Sequence, residues 1–116
     1  MADDPTQLPL GFELLLDALE HNPAVKKILL ESLGSLGGVT RWFDLYEKLS
    51  VGEPVKDIVE NFLGNKSERA ILAVILMKAD YTAHAAQICP NFWLAWGGLD
   101  RTNKAIVIDI LADNEG

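Results

Sequence analysis

Residues 65–78 of the chain, NKSERAILAVILMK, predict a helix that is apolar on nearly every side. Asn65 and Glu68 have the spacing of a capping box, in which each side chain accepts a hydrogen bond from the other residue's backbone amide; Ser67 is an alternative cap. The apolar run 70–77 is eight residues long, whereas a membrane-spanning helix needs about 20. The segment therefore predicts a central helix that the rest of the protein buries, with no membrane span.

This central helix is expected to extend over residues 66–88. An apolar stripe at helical spacing supports that length, and it consists of Leu72, Ile75, Leu76, Ala79, Ala83 and Ala86. Polar side chains occupy the opposite side, namely Arg69, Asp80, His84 and Gln87. Because the alanines in the second half have small side chains, they leave room for another backbone to approach closely.

Proline and glycine residues divide the chain before residue 65 into four more helices. Proline is tolerated at the first position of a helix, and glycine ends helices in a left-handed conformation. With apolar residues at helical spacing, these signals predict helices from residue 10 or 11 to 21, from 23 to about 33, from about 40 to a stop at Gly52, and from Glu53-Pro54 to a stop at Gly64. Residues 34–40, GSLGGVT, are interpreted as a flexible connector, because they follow a helix and lack the lysine of a phosphate-binding loop.

A second motif, CPNFWLAWGGLD at residues 89–100, places three aromatic residues between two breaks. Pro90 disfavours helical geometry at Cys89, so the long helix should end there. Pro90 also suits the first turn of a new helix, which the pair Gly97-Gly98 should end. The motif therefore predicts one short aromatic helix.

The aromatic side chains of that short helix cover two neighbouring faces, because Trp96 lies one turn from both Phe92 and Trp93. One short helix can bury only part of that surface. We expect Phe92 and Trp96 to plug the core beside Ala83 and Ala86. Trp93 is expected near the surface, where its ring nitrogen needs a partner.

Residues 104–113, KAIVIDILAD, fit either a helix or a strand. Their β-branched residues favour a strand, but no other segment offers a strand to pair with. Asp100, with Asn103 or Thr102 nearby, can cap a helix instead, so a helix is predicted. A strand over 104–112 would require pairing between two copies of the chain.

The composition indicates one globular domain. The chain has 116 residues, of which 49% are hydrophobic and 23% are charged, and this is enough to bury a core without disulfides. We predict an all-α fold: a compact bundle of about five to six short helices in a single domain over residues 1–116. Short flexible ends are expected near residues 1–7 and 114–116.

The net charge of −7 is concentrated at the two ends of the chain. Residues 21–104 hold nine acidic and ten basic residues, with no basic cluster, so direct nucleic-acid binding is not expected. The first helix carries one acidic row, Glu13, Asp17 and Glu20. A solvated helix face explains that row better than mimicry of nucleic acid does.

No set of residues predicts catalysis. Cys89 is the single cysteine, which favours a reducing, cytoplasmic compartment, and Asp3 and Asp4 stand where an export signal would carry basic residues. On a continuing helix His84 and Cys89 point apart and form no nucleophile–base pair. A zinc site needs a third ligand beside Asp80 and His84. We expect no catalytic residue, no cofactor and no metal site.

The favoured function is a non-catalytic protein-interaction module: a small adaptor, inhibitor or assembly subunit. Apolar positions outside the helical stripes, including Leu14, Leu30 and Val74, suggest that another chain covers part of the surface. Self-association is expected, and the partner is another protein or a second copy. The candidate protein-binding residues are Trp93, Trp96, Phe92, Leu14 and Leu30.

Two other functions fit the sequence less well. A small helical enzyme or ligand-binding domain would form its site between helices, near Tyr81, His84 and Trp93. A nucleic-acid mimic would use the acidic row on the first helix.

Overall fold

The described part of the chain forms eight α-helices and no strand. The structure is a computed structural model that describes residues 12–34 and 36–113. Its helices are α1 (Glu13–Glu20), α2 (Pro23–Leu33), α3 (Trp42–Ser50), α4 (Pro54–Asn61), α5 (Lys66–Lys78), α6 (Thr82–Ile88), α7 (Phe92–Gly97) and α8 (Arg101–Ala112). The all-α prediction is confirmed, with more helices than the five to six expected. The predicted start of the first helix at residue 10 or 11 and the flexible ends at 1–7 and 114–116 lie outside the described residues.

The single helix predicted over residues 66–88 is wrong, because α5 and α6 are separate helices. The end of α5 is a Schellman motif: the Tyr81 N–H donates to the Leu76 carbonyl at 2.8 Å, and the Asp80 N–H donates to the Met77 carbonyl at 3.1 Å. Asp80 occupies the left-handed position of the motif, with φ of 70°. Glycine is the usual residue there, so an aspartate gives the sequence no recognisable stop signal.

This break changes which side of α6 meets the core. Ala85 and Ile88 are buried, whereas Ala83 and Ala86 are exposed. The predicted stripe of buried residues is therefore correct as far as Ala79 and wrong beyond it, since the chain changes direction between the two helices.

Helix α5 supplies the longest buried run of the core. Its residues 70–76 are all buried, and the helix packs against α2, α6, α7 and α8. Although α5 contains the longest apolar run of the sequence, no helix within residues 12–34 and 36–113 is long and apolar enough to cross a membrane.

The predicted capping box at the start of α5 is confirmed. The Glu68 N–H donates to Asn65 Oδ1 at 2.8 Å, and the Asn65 N–H donates to Glu68 Oε1 at 3.1 Å. The other carboxylate oxygen, Glu68 Oε2, accepts a hydrogen bond from the Ala24 N–H in the first turn of α2 at 2.9 Å. One carboxylate therefore satisfies backbone donors at the starts of two helices.

The C-terminal segment is the helix α8, so the strand alternative is wrong for residues 104–112. Asp100 caps it, because its side chain accepts a hydrogen bond from the Asn103 N–H at 2.7 Å. Ile106, Val107 and Ile110 are buried against the α1 and α5 side of the bundle. Burial of this apolar face outweighs the modest helix propensity of β-branched residues.

Most of the other predicted helix boundaries are correct, but the stop predicted at Gly64 is wrong, because α4 ends at Asn61 with Phe62 as its C-cap. Pro23 and Pro54 occupy the first positions of α2 and α4, while Gly34 and Gly52 have positive φ after α2 and α3. Glu53, immediately before α4, also lies in the left-handed region, with φ of 55° and ψ of 46°. A side chain with a Cβ is strained in that conformation by about 1 kcal/mol.

Replacing Glu53 by glycine should therefore stabilise the fold by about 0.5 kcal/mol, since relief of the strain exceeds the extra freedom glycine gives the unfolded chain. The Glu53 side chain makes no capping hydrogen bond, so its removal costs little. Urea denaturation measures the change. Glu53→Ala is the matched control, because it removes the same carboxylate and keeps the Cβ; equal stabilisation by both variants would contradict the strain explanation.

Candidate protein-binding surface

The short aromatic helix α7 leaves two large apolar side chains in solvent. Trp93 is 77% exposed and Leu94 is 75% exposed. Asn91 caps the helix, accepting a hydrogen bond from the Leu94 N–H at 3.1 Å; Pro90 therefore precedes the cap and does not lie in the first turn. We call Trp93 and Leu94 together the Trp93 ridge.

Phe92 and Trp96 lie on the inner side of α7 but do not plug the core. Both are half-buried and pack against its edge, and no residue of α7 is fully buried. The expected neighbours Ala83 and Ala86 face solvent, because α6 is turned by the break at residue 80. The Lys104 ammonium lies 5.6 Å from the centre of the Trp96 ring, a cation–π contact that joins α7 to α8.

A groove with a volume of about 480 Å³ lies beside the Trp93 ridge, between the start of α5, the end of α6 and α7. Leu94 forms part of its wall, and so do Pro90 and Cys89. Among the residues that the structure describes, the charged ones in its lining are Lys66 and Arg69. We call this cavity the basic groove.

The basic groove includes the single cysteine, Cys89. Burial raises the pKa of the Cys89 thiol, and the nearby charge of Arg69 opposes that shift only in part. A catalytic cysteine needs its pKa lowered so that the thiolate forms near neutral pH. The upward shift of the Cys89 pKa is the opposite of the one that a catalytic cysteine needs.

The other candidate binding residues are less accessible than Trp93. Leu14 and Leu30 are half-buried and pack against the core. Val74 is fully buried inside the fold, so its use as evidence of surplus apolar surface is wrong. Val74 lies on α5, which packs against four other helices, and its side chain is part of this domain's own core.

Tyr81 and His84 belong to a row of contacting rings on another part of the surface, in which Tyr81 meets His84 edge-on and the other pairs are stacked. The ring centres of Tyr81 and His84 are 5.4 Å apart, those of Tyr46 and Tyr81 are 5.5 Å apart, and those of Phe43 and Tyr46 are 6.0 Å apart. Trp93 is not among the rings in contact here. Much of the ring surface is thus already covered by neighbouring rings.

The hydroxyl of Tyr81 is also hydrogen-bonded. Ser50 Oγ donates to the Tyr46 carbonyl at 2.8 Å, so the 2.6 Å contact between Ser50 and Tyr81 has the tyrosine as donor. Asp80 and His84 do not share a helix face, because Asp80 lies in the turn before α6. No group of three or more His, Cys, Asp or Glu side chains within residues 12–34 and 36–113 is arranged to hold a metal ion.

The acidic row on α1 is exposed. Glu13, Asp17 and Glu20 all face solvent, and α1 contains no basic residue. We call these three residues the acidic face. Leu14 and Leu16, both half-buried, flank it on either side.

Sequence reasoning did not identify Leu94, Lys66 or Arg69 as parts of a surface site. Leu94 carries a weak signal, since it follows Trp93 on a helix too short to bury two faces. Lys66 and Arg69 carry none, because only the packing of α7 on α5 brings them beside the aromatic motif.

The fold and the surface together define a small all-helical domain with an exposed aromatic ridge beside a basic groove. Comparison with protein-family models, curated proteins and solved structures finds no match to this chain. The chemistry of these residues is therefore the basis for assigning a function.

Proposed function

We propose that the protein is a non-catalytic protein-interaction module, an adaptor, inhibitor or assembly subunit, that contacts its partner through the Trp93 ridge. The observation that carries the proposal is the exposure of Trp93 and Leu94 side by side, at 77% and 75%. Tryptophan is enriched among the residues that dominate binding energy at protein interfaces, because it combines a large apolar ring with one hydrogen-bond donor.

The surroundings of the ridge support this function. The basic groove is a concave surface next to the protruding Trp93 ridge, and Leu94 belongs to both. A partner could therefore contact the two surfaces together. The raised pKa of Cys89 and the mutual packing of the Tyr46, Tyr81 and His84 rings favour binding over catalysis. The single cysteine fits a reducing compartment, so a cytoplasmic location is part of the proposal.

Site-specific photocrosslinking tests where the partner binds. A benzophenone amino acid placed at position 93 should form a covalent adduct with a protein in the native lysate, identified by mass spectrometry. The matched control is the same amino acid at position 63, because Leu63 is 92% exposed and lies outside the ridge and the basic groove. Adducts in equal yield at both positions, or at neither, would contradict the proposal.

Trp93→Ala should weaken binding to the crosslinked partner by tenfold or more, the loss expected for an interface anchor. Its melting temperature should change by less than about 2 °C, since a side chain exposed in the free protein contributes little to folding. Leu63→Ala should alter neither quantity. A large fall in melting temperature without loss of binding would assign Trp93 to the core instead.

A further inference from the structure

The basic groove carries two cations that form no salt bridge with any acidic side chain in the described part of the chain. Its charged lining residues, Lys66 and Arg69, form no salt bridge, and the only ion pair within the described ranges joins Arg41 to Asp44. The Arg69 guanidinium lies 5.6 Å from the Phe62 ring centre, a cation–π contact in which no carboxylate takes part. An occupant with carboxylates and adjoining apolar side chains would complement this groove.

The acidic face of α1 has that chemistry. Glu13, Asp17 and Glu20 form no salt bridge within residues 12–34 and 36–113. They extend over about 10 Å of helix, since each residue rises 1.5 Å. Leu14 and Leu16 supply apolar surface on the two sides of the row. The face therefore presents acidic and apolar groups on one rigid helix.

Charge also decides between two ways of pairing two copies. A two-fold contact through the basic groove would bring Lys66 and Arg69 of one copy toward the same residues of the other, and like charges at an interface are unfavourable. A contact between the groove of one copy and the acidic face of another brings opposite charges together. The second arrangement is heterologous, because different surfaces of the two copies meet.

We infer that the protein self-associates head to tail, with the acidic face of α1 docked in the basic groove and against the Trp93 ridge of a second copy. This inference rests on the proposed function and specifies its partner. The acidic face and the groove share no residue, so each copy can use both surfaces at once. The assemblies are rings or open chains, and added salt weakens them.

Sedimentation velocity over a range of protein concentrations, at low and high salt, tests the inference with charge-reversed variants. Lys66→Glu/Arg69→Glu reverses the groove, and Glu13→Lys/Asp17→Lys/Glu20→Lys reverses the acidic face. Each variant alone should associate at least tenfold more weakly than the natural chain. An equimolar mixture of the two should regain association, since each variant then offers the surface that the other has lost.

Matched controls separate local charge from net charge. Lys27→Glu/Lys56→Glu changes the net charge as the groove variant does, and Glu31→Lys/Glu47→Lys/Glu60→Lys changes it as the acidic-face variant does. All five control positions are exposed and lie outside both surfaces. The controls should associate like the natural chain.

The rate of Cys89 alkylation by iodoacetamide provides a second measurement, because Cys89 lines the groove. In the natural chain the rate should fall as protein concentration rises, whereas in the groove variant it should stay constant.

Normal self-association by the acidic-face variant would overturn the head-to-tail inference, and so would a natural chain that stays monomeric at every concentration. If the head-to-tail inference fails, an adduct at position 93 with a different protein would still support the proposed function. If no adduct forms at position 93, the head-to-tail inference and the proposed function are both contradicted.

Discussion

Replacing Trp42 by alanine should lower the free energy of unfolding by about 4 kcal/mol, the loss typical of a large buried aromatic side chain. Trp42 is only 2% exposed and meets the Phe12 ring edge-on, with ring centres 4.9 Å apart. Its Nε1–H donates to Asp113 Oδ2 at 2.8 Å. Alanine would leave a cavity and remove both contacts, so the melting temperature should fall by about 15 °C.

Trp42→Phe separates packing from hydrogen bonding. It keeps an aromatic ring in the core and removes the indole donor, so we expect a loss of about 1–2 kcal/mol. Asp113→Ala should cost a similar amount, because it leaves the buried donor of Trp42 without this acceptor. Urea denaturation followed by circular dichroism measures all three changes. A loss below 1 kcal/mol for Trp42→Ala would show that the core does not depend on this residue.

The second large effect is expected at a buried pair of asparagines. Asn22 and Asn103 are 1% and 6% exposed, and Asn22 Nδ2 donates to Asn103 Oδ1 at 3.0 Å and to the Ala18 carbonyl at 2.8 Å. Asn103→Ala removes one acceptor and a buried contact between the α1–α2 corner and α8. We expect a loss of about 2 kcal/mol, because the buried Asn22 amide loses one of its two acceptors and the Asn103 side chain is removed from a buried site.

A double-mutant cycle shows whether this loss belongs to the pair. Asn22→Ala and Asn103→Ala together should cost less than the sum of the single losses by about 1 kcal/mol, since either change alone already breaks the shared hydrogen bond. Thermal unfolding of the three variants gives the coupling free energy. Strict additivity would mean that the two residues stabilise the fold independently.

Helix boundaries set by adjacent residues were predictable from the sequence. The capping box of Asn65 and Glu68, the cap at Asp100 and the proline start of α2 act within one turn, so their signals are local. The end of α5 was missed because Asp80 adopts a conformation usually associated with glycine. A mistake at that one residue was enough to assign the wrong face of α6 to the core.

Contacts between distant parts of the chain left no signal in the sequence. Asn22 and Asn103 are 81 residues apart, and Trp42 and Asp113 are 71 apart. The same limitation explains why only part of the candidate site was predictable from the sequence. Exposure of Trp93 followed from the length and composition of its own helix, whereas the groove beside it depends on how α5 and α7 pack.

The carboxylate of Glu68 joins the first turns of α2 and α5 by hydrogen bonds to both. Ala24 and Glu68 are 44 residues apart in the sequence. Fraying of either helix start would break the hydrogen bond between them and so destabilise the start of the other helix. Lys66 and Arg69, which give the groove its charge, flank Glu68 in the same turn of α5. The turn that carries these two cations is thus held in part by α2, a helix that does not line the groove.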